Sequence, residues 1–488
     1  MTSIAAPAPD DATSPGAETQ PPPPGPEGNP LLSRSLPAQV ATLAFWPFLQ
    51  QLLAWLVSFI DTAVAGRLSV EATNAIAIAA YFGWFLVLMT SAAGSGAAAL
   101  IARAVGGGDR STGDRALGQA ILLAVGWSAV VGAGVYLGAD AIGSLARLDG
   151  PSKQLAAQYL RVLAAAAPLT AVLFIGNACL TAAGDTRTPF FAMVAFNAAN
   201  IALTLYLALE PWAFSLGGSS FTVPGRGLGV LGIAWGTAGG TALGAVLIAG
   251  ALLRPGLVRL RPRLLKPEPG LLRRIVRIAV PGVGEGLGHW LGNFAVIVLV
   301  GWIAADLGET AFQGAHIVAI RIEALSFLPA MALAAAASTL TGQYLGAGDA
   351  GRAKRAAVAC WLGGAGSMTL LGLAFVAFPG FFVRLVTDQP ELLELSPRLV
   401  RVCGWVQFGF GSAIILGAAM RGAGDTRTPM LLTNALTWGV RLPACWFFGV
   451  WMGWGLVGVW YGLCGELAVR GAVFIAFFFK GRWARVEV

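Results

Sequence analysis

The sequence predicts an all-α polytopic membrane protein, with twelve transmembrane helices in two pseudo-symmetric six-helix lobes, from three observations. Hydrophobic residues make up 56% of the 488-residue chain and charged residues only 11%, whereas soluble domains have about 25% charged residues. The hexapeptide GDTRTP at Gly184 to Pro189 recurs without change at Gly424 to Pro429, an offset of 240 (424 minus 184). Six apolar stretches in each half are long enough to cross a bilayer, which takes about 20 residues. The chain is therefore two copies of one unit.

The repeat divides the chain into lobes and connecting segments. At the same offset, Gly106 to Asp109 matches Gly346 to Asp349. The predicted organisation is a tail at 1–37, an N-lobe at 38–253, a linker at 254–277, a C-lobe at 278–480 and a second tail at 481–488. Repeated lobes of this kind predict a transport pathway along the interface between them.

The predicted spans and the loop charges give an orientation. The approximate spans are 39–61, 74–102, 116–140, 155–182, 189–210, 227–252, 275–304, 312–343, 355–379, 398–420, 430–452 and 455–479. The junction between the halves carries Arg254, Arg259, Arg261, Arg263, Lys266, Arg273, Arg274 and Arg277. Because basic loops stay in the cytoplasm, we expect a cell-membrane protein (inner membrane if bacterial) with a cytoplasmic linker, cytoplasmic GDTRTP loops and both termini cytoplasmic. The alternative, or additional, role of this cluster is binding of anionic lipid head groups.

Composition disfavours several classes of protein. The first 37 residues are rich in Pro and acidic residues and lack an apolar block, which predicts a disordered tail without a signal peptide. The five cysteines show no CxxC or His spacing, so neither a disulfide framework nor a metal site is expected. The net charge of +8 is read as a topology signal and not as nucleic-acid binding.

The two GDTRTP tracts are expected to form tight turns between spans. Gly ends one helix, Asp or Thr caps the next, and Pro lies in the first turn. We favour a structural and gating role for these loops over substrate contact. The residues concerned are Gly184, Asp185, Arg187 and Pro189 with their counterparts Gly424, Asp425, Arg427 and Pro429.

Asp61 is the sharpest chemical signal, because it closes the apolar run of the first span. A carboxylate in hydrocarbon is costly and usually faces an internal pathway for ions or substrate. Partial burial also raises the pKa of a carboxyl group, as a proton carrier requires. The alternative is an interfacial Asp that caps the helix end.

Four further candidate site residues are ionisable side chains inside predicted spans of the C-lobe. Glu285 and His289 share one face of the seventh span, where they either share a proton or cation, or simply order the bundle. Arg441 and Glu466, in spans eleven and twelve, are a candidate buried pair.

Several motifs resemble those of the multidrug and toxic compound extrusion (MATE) transporters, over nearly all of the chain after residue 37. They are Phe59-Ile60-Asp61-Thr62 with Ala65-Gly66-Arg67-Leu68, both GDTRTP tracts, 315–327 beginning Ala315-His316, 340–349 ending Gly348-Asp349, and 455–460 ending Val459-Trp460. The resemblance implies alternating access between two six-helix lobes. It also implies export of small organic, often cationic or amphipathic, compounds in exchange for protons or sodium.

The resemblance also assigns residues. Asp61 matches the first-helix acid that the family uses for ion coupling, and Asn200 matches an Asn of the fifth helix in the same cavity. Asn197 and Thr204 complete the candidate ion-coupling set, although many relatives have an acid where this chain has Thr204. Another branch has a Glu where this chain has His289, and an acid at Glu285 is closer to the DinF-like branch, which we therefore favour.

The leading hypothesis is ion-driven multidrug export without a cofactor or enzymatic activity, by a functional monomer in contact with membrane lipids. With one carboxylate in the N-lobe set, H⁺ is favoured as coupling ion and Na⁺ remains an alternative. A flippase for lipid-linked saccharide is the second candidate. A membrane-embedded transferase is disfavoured, because clustered acids for metal and phosphate are missing from the sequence.

Overall fold

The structure is a computed structural model that describes residues 31–66, 70–145, 150–216, 219–309 and 311–486. Within those ranges, the side chains of 56–66, 70–75, 77–80, 92–93, 145, 212–216 and 219–223 lie outside the described part. The predicted tail therefore falls mostly outside the description. Its last residues differ from the prediction, since Leu32 is buried and a helix begins at Leu36.

Helices form almost all of the described chain. The N-lobe contains α1 (Leu36–Gly66), α2 (Val70–Gly106), α3 (Arg110–Leu145), α4 (Gly150–Ala165), α5 (Ala167–Ala183), α6 (Arg187–Ala208) and α7 (Val230–Leu253). A hairpin of β1 (Trp212–Leu216) and β2 (Ser219–Val223) joins α6 to α7. The C-lobe contains α8 (Pro269–Leu307), α9 (Ala311–Gly346), α10 (Ala350–Ala377), α11 (Pro379–Arg384), α12 (Pro390–Gly404), α13 (Gln407–Gly422), α14 (Arg427–Leu436), α15 (Leu442–Trp446) and α16 (Gly455–Phe479). Short 3-10 turns at Pro262–Leu265 and Arg482–Arg485 lie in the linker and the second tail.

The predicted fold class is confirmed. In the described part of the chain, eight helices are long and apolar enough to cross a membrane, and two bent pairs, α4 with α5 and α12 with α13, bring the number to ten. The remaining predicted spans, 39–61 and 430–452, fall on α1 and on the run from α14 to α15. The seventh helix of the prediction begins earlier than expected, at Pro269, within the predicted linker.

The two bends occupy the same place in each lobe but have different causes. The α4–α5 bend of 54° precedes Pro168, which has no N–H to continue the helical ladder. The α12–α13 bend of 57° follows Gly404, where a Cβ atom would lie only 2.5 Å from the carbonyl oxygen of Gly372 on α10. A helix bent in its middle brings its two halves against different neighbours.

Two π-helical turns, Thr437–Arg441 and Phe447–Trp451, flank α15. The first precedes Pro443, which cannot donate a backbone hydrogen bond and so disturbs the α-helical pattern. Such insertions re-aim side chains and are frequent at functional sites. Here the first turn carries Arg441, one of the predicted site residues.

The first helix of each lobe begins by packing against the opposite lobe. Leu271 and Ile275 of α8 are buried in the N-lobe core with residues of α2 and α3. Leu43 of α1 is buried in the C-lobe core with Tyr344 of α9. The lobes are therefore interlocked at the end that carries the linker, which we call the linker end.

Candidate functional site

In the N-lobe, three polar residues line one side of α6. Asn197, Asn200 and Thr204 are 4%, 3% and 1% exposed. Asn197 donates to the carbonyl oxygen of Met193 at 2.7 Å, and Asn200 donates to Thr237 Oγ1 of α7 at 3.1 Å. The structure therefore brings all three predicted residues of α6 into the interior of the lobe.

Two oxygen atoms of this set stay unsatisfied. Within the part of the chain that the structure describes, neither Asn200 Oδ1 nor Thr204 Oγ1 has a hydrogen-bond partner. A buried polar atom without a partner costs about 1–3 kcal/mol. These oxygens are suited to receive a proton-bearing group or a small cation.

Asp61 lies on α1, but its side chain is outside the described part. The depth of its backbone follows from helix geometry, because α1 and α6 run side by side from the linker end, where the ring centroids of Trp46 and Phe190 lie 5.1 Å apart. At a rise of about 1.5 Å per residue, Asp61 lies about 22 Å beyond Trp46 and Thr204 about 21 Å beyond Phe190. The predicted carboxylate and the unsatisfied oxygens thus belong to one level of the N-lobe.

In the C-lobe, Arg441 and Glu466 are in contact and a third residue joins them. Arg441 Nη2 lies 2.8 Å from Glu466 Oε2, and Arg470 Nε lies 2.6 Å from Glu466 Oε1. Asn293 accepts from Arg441 at 2.8 Å and Thr437 accepts from Arg470 at 2.7 Å. Both carboxylate oxygens of Glu466 are already held by guanidinium groups, so this acid is not available to a transported cation. The sequence analysis missed Arg470, although its i, i+4 spacing from Glu466 is a signal for helical pairing.

Glu285 and His289 do not form the predicted pair in the described structure. Glu285 instead accepts from Arg421 Nη1 at 3.0 and 3.2 Å and from Thr433 Oγ1 at 3.2 Å. A guanidinium group offers two donors to a carboxylate, where an imidazole offers one. The Glu285–Arg421 pair is partly accessible, with 17% and 30% of the side chains exposed.

The two GDTRTP loops have the same geometry. Gly184 and Gly424 adopt left-handed conformations with φ of 102° and 92°, which a side chain would disfavour. Asp185 Oδ1 caps the next helix by accepting from the amide of Thr188 at 3.0 Å, and Asp425 Oδ1 does the same with Thr428. Pro189 and Pro429 lie in the first turn of α6 and α14, where a missing N–H costs nothing.

The arginines of these loops differ between the lobes. The guanidinium carbon of Arg187 lies 5.9 Å from the Trp46 ring centroid and 5.7 Å from that of Phe191. Arg427 is exposed. The repeated motif is therefore conserved in its turn geometry, while its basic side chain has different surroundings in each copy.

Immediately before each loop, a side chain of the opposite lobe holds a backbone carbonyl group. Arg103 of α2 donates to the carbonyl oxygens of Ala423 and Val486, both at 2.7 Å. Gln343 of α9 donates to the carbonyl oxygen of Ala182 at 3.0 Å. Arg103 and Gln343 are related by the offset of 240, and the acceptor Ala423 lies one residue beyond Gly422, the counterpart of the acceptor Ala182. We call these reciprocal bonds of Arg103 and Gln343 the cross-lobe clasp.

Glycine allows the clasp to close. A Cβ atom on Gly106 would lie 1.9 Å from the carbonyl oxygen of Gln343, and one on Gly346 would lie 2.0 Å from that of Arg103. The ends of α2 and α9 therefore touch through their backbones. The linker end is closed in this structure, and sequence reasoning had identified the glycines but not the two donors.

Comparison with known proteins identifies the family. The MatE family model matches residues 48–206 and 281–447, one segment in each lobe. The chain belongs to the MatE family. The resemblance inferred from the motifs is thereby confirmed, and the chain is that of a membrane transporter and not an enzyme.

Individual relatives and solved structures agree with this membership. "Probable multidrug resistance protein NorM" of Thermotoga maritima is 27% identical over 441 residues, which are 90% of this chain and 91% of that protein. "Probable multidrug resistance protein YoeA" of Bacillus subtilis is 26% identical over 435 residues, 87% and 89% of the two chains. The fold is similar to that of a crystallised variant of the Vibrio cholerae MATE transporter VcmN, with a TM-score of 0.81, 16% identity and coverage of 92% and 100%. The fold is also similar to that of a crystal structure of MATE in the straight conformation, with a TM-score of 0.79 and 22% identity. The match covers 92% of this chain and 97% of that chain.

Proposed function

We propose that this MatE transporter exports small organic compounds in exchange for a proton that binds in the N-lobe. The observation that carries the proposal is the pair of unsatisfied buried oxygens, Asn200 Oδ1 and Thr204 Oγ1, at the level of Asp61. Polar atoms retained inside a membrane domain without partners are costly and usually functional. Protonation of Asp61 gives the site a hydroxyl group that donates to one of these oxygens.

The substrate class follows from the relatives and the charge of the site. Proteins named for multidrug resistance match most of the chain, which favours export of organic compounds over flipping of a lipid-linked saccharide. An ionised Asp61 favours cationic or amphipathic substrates, because substrate and proton then compete for one negative charge.

Proton coupling is preferred to sodium coupling for a chemical reason. Na⁺ is held best by several oxygens, and in the predicted set Asp61 supplies the only carboxylate beside the neutral oxygens of Asn200 and Thr204. A single carboxyl group suffices to carry one proton.

Alternating access requires the closed linker end to open. The cross-lobe clasp has to break for this, and we place the linker end and both termini at the cytoplasmic side because of the basic linker.

We assign the chain to the DinF-like branch because Glu285 lies four residues after Pro281. We take the monomer as the functional unit.

The proposal is tested by transport in sodium-free proteoliposomes with an imposed pH gradient. Wild-type protein is expected to accumulate a fluorescent organic cation, and Asp61→Asn is expected to bind it without accumulating it, because Asn keeps the size and hydrogen bonding but cannot titrate. Asp306→Asn, at an exposed acid near the end of α8, is the matched control and should transport normally. Wild-type rates in Asp61→Asn would refute the site, and a sodium requirement at every pH would refute the proton.

A further inference from the structure

A cavity of about 400 Å³ opens at the linker end of the C-lobe, away from the N-lobe ion site. It lies between the start of α1, the end of α9 and the start of α10. Its lining consists of Leu32, Ser33, Arg34, Leu36, Gln39, Tyr344, Arg352 and Arg355. This volume is within the range of small-molecule sites, about 300–1,000 Å³.

Hydrogen bonds of Gln39 and Tyr344 hold the floor of the cavity in place. Gln39 is 1% exposed and donates to the carbonyl oxygens of Leu32 and Arg34 at 3.2 and 2.7 Å. Tyr344 donates to Gln39 Oε1 at 2.8 Å. The turn that carries Arg34 is thereby tied to both α1 and α9, so the position of this arginine is set by buried contacts.

The walls carry an excess of positive charge. Arg352 pairs with Asp349 at 3.3 Å, and Arg34 donates to the neutral hydroxyl group of Thr42 at 3.4 Å. Arg355 has no ion pair with any residue in the described part of the chain. Among the described residues, these three guanidinium groups thus share one carboxylate, which leaves an excess of two positive charges at the cavity.

The N-lobe shows what the equivalent position binds. Arg115 corresponds to Arg355 at the offset of 240. Its Nε donates to both carboxylate oxygens of Glu268 in the linker, at 3.0 and 3.2 Å. The linker thus supplies an anion to the N-lobe position. At the C-lobe position, the described structure has the cavity in its place.

We propose that this cavity binds a phosphate group, held by Arg34 and Arg355. The planar guanidinium fork matches phosphate oxygens, and paired arginines are typical of phosphate recognition. The phosphate belongs either to the head group of an anionic membrane lipid or to a soluble phosphate, and both sources present the same oxygens to the arginines.

The test measures binding of two probes to the full-length transporter in detergent. Phosphatidylglycerol retention is followed by native mass spectrometry, with phosphatidylcholine as reference lipid, and inorganic phosphate is followed by the shift in melting temperature. Arg355→Gln is expected to weaken binding of the true ligand about tenfold, the loss typical of a charged hydrogen bond. Lys354→Gln removes the same charge one residue away, from a side chain over the Phe479 ring and outside the cavity lining, and should bind as wild type does.

Each outcome decides the proposal. A selective loss of phosphatidylglycerol in Arg355→Gln assigns the site to lipid, and a selective loss of the inorganic phosphate shift assigns it to a soluble ligand. Equal losses in Lys354→Gln and Arg355→Gln would show general surface charge and overturn the proposal. Binding that emerges only after deletion of residues 1–30 would also overturn it, because the chain's own acidic segment would then be the occupant.

Discussion

The last helix of each lobe contacts the equivalent preceding helix of its own lobe through a different type of interaction. Gly229 to Gly236 aligns with Gly455 to Gly462, an offset of 226 (455 minus 229), which places Glu466 and Arg470 where α7 has Gly240 and Gly244. In the N-lobe, a Cβ atom on Gly240 would lie 2.7 Å from the carbonyl oxygen of Phe196, so α7 packs directly on α6.

The C-lobe replaces this close contact with a charged network. Glu466 and Arg470 occupy the equivalent interior positions. Glu466 binds both Arg470 on its own helix and Arg441, which is carried by the π-helical turn. The charges of this network therefore satisfy one another, while the N-lobe keeps unsatisfied neutral oxygens on α6. The C-lobe also has buried acceptors without partners in the described part, Glu323 Oε1 and Asn434 Oδ1, so we place coupling in the N-lobe because Asp61 lies at the level of the α6 oxygens.

The largest expected effect is loss of the C-lobe network. Glu466→Gln leaves Arg441 and Arg470 buried without a full counter-charge, and breaking a buried ion pair in this way costs about 3–5 kcal/mol. Thermal unfolding in detergent should show a strongly destabilised protein. Glu394→Gln, in the exposed Glu394–Arg398 pair, is the control and should cost less than about 1 kcal/mol. A Glu466→Gln protein as stable as wild type would show that the charge of Glu466 does not hold the network together, and would contradict this contrast between the lobes.

The clasp provides the second contrast, since its N-lobe donor is charged and its C-lobe donor is neutral. Arg103→Ala removes two bonds from a charged group, each worth about 1.5–3 kcal/mol, whereas Gln343→Ala breaks the neutral cross-lobe bond to Ala182, worth about 0.5–1.5 kcal/mol. We therefore expect the linker end to open more often in Arg103→Ala than in Gln343→Ala. Maleimide labelling of Thr339→Cys measures this opening, because the Thr339 side chain of α9 is buried and donates to the carbonyl oxygen of Thr181 in the opposite lobe at 3.1 Å.

The control for the clasp is Arg110→Ala, an exposed arginine at the start of α3. It removes the same charge near the same end without a clasp bond and should leave the labelling rate unchanged. Equal labelling in all three variants would show that backbone packing at Gly106 and Gly346 closes the linker end without the side chains.

The sequence predicted the membrane spans and the two lobes more accurately than the contacts between individual side chains. Apolar runs and the 240-residue repeat determine spans and lobes, because burial in lipid depends on composition and length. The Glu285 partner was mistaken for His289, one turn away on the same helix, when it is Arg421 on α13. Helical periodicity places a residue on a face but does not say which neighbouring helix meets that face, so Arg103 and Gln343 gave no signal either.

The N-lobe oxygens allow a sharper test of function against packing. Thr204→Val keeps the shape but removes a hydroxyl group that has no partner in the described structure, so stability should be unchanged or slightly higher. Proton-driven uptake in proteoliposomes should fall about tenfold if the hydroxyl group binds the protonated acid. A loss of stability with normal uptake would instead make Thr204 a structural residue.

The smallest expected effect concerns the linker, which the N-lobe holds through Arg115 and Glu268. Hydrogen bonding from Arg115 keeps the pKa of Glu268 below its usual value of 4.5. Because the pKa of Glu268 is lower in the docked linker than in the undocked linker, its ionised carboxylate stabilises docking at pH values above the undocked pKa. This stabilisation is lost as the pH falls through the docked pKa. A spin label at Arg263→Cys should therefore show constant mobility from neutral pH to about pH 5 and a rise only in more acidic solution. Glu268→Gln should make the label mobile at every pH, whereas Arg355→Gln, at the C-lobe position that lacks a linker, should leave the profile unchanged. A pH step that persists in Glu268→Gln would contradict the role of Glu268 and assign the linker's acid sensitivity to another group.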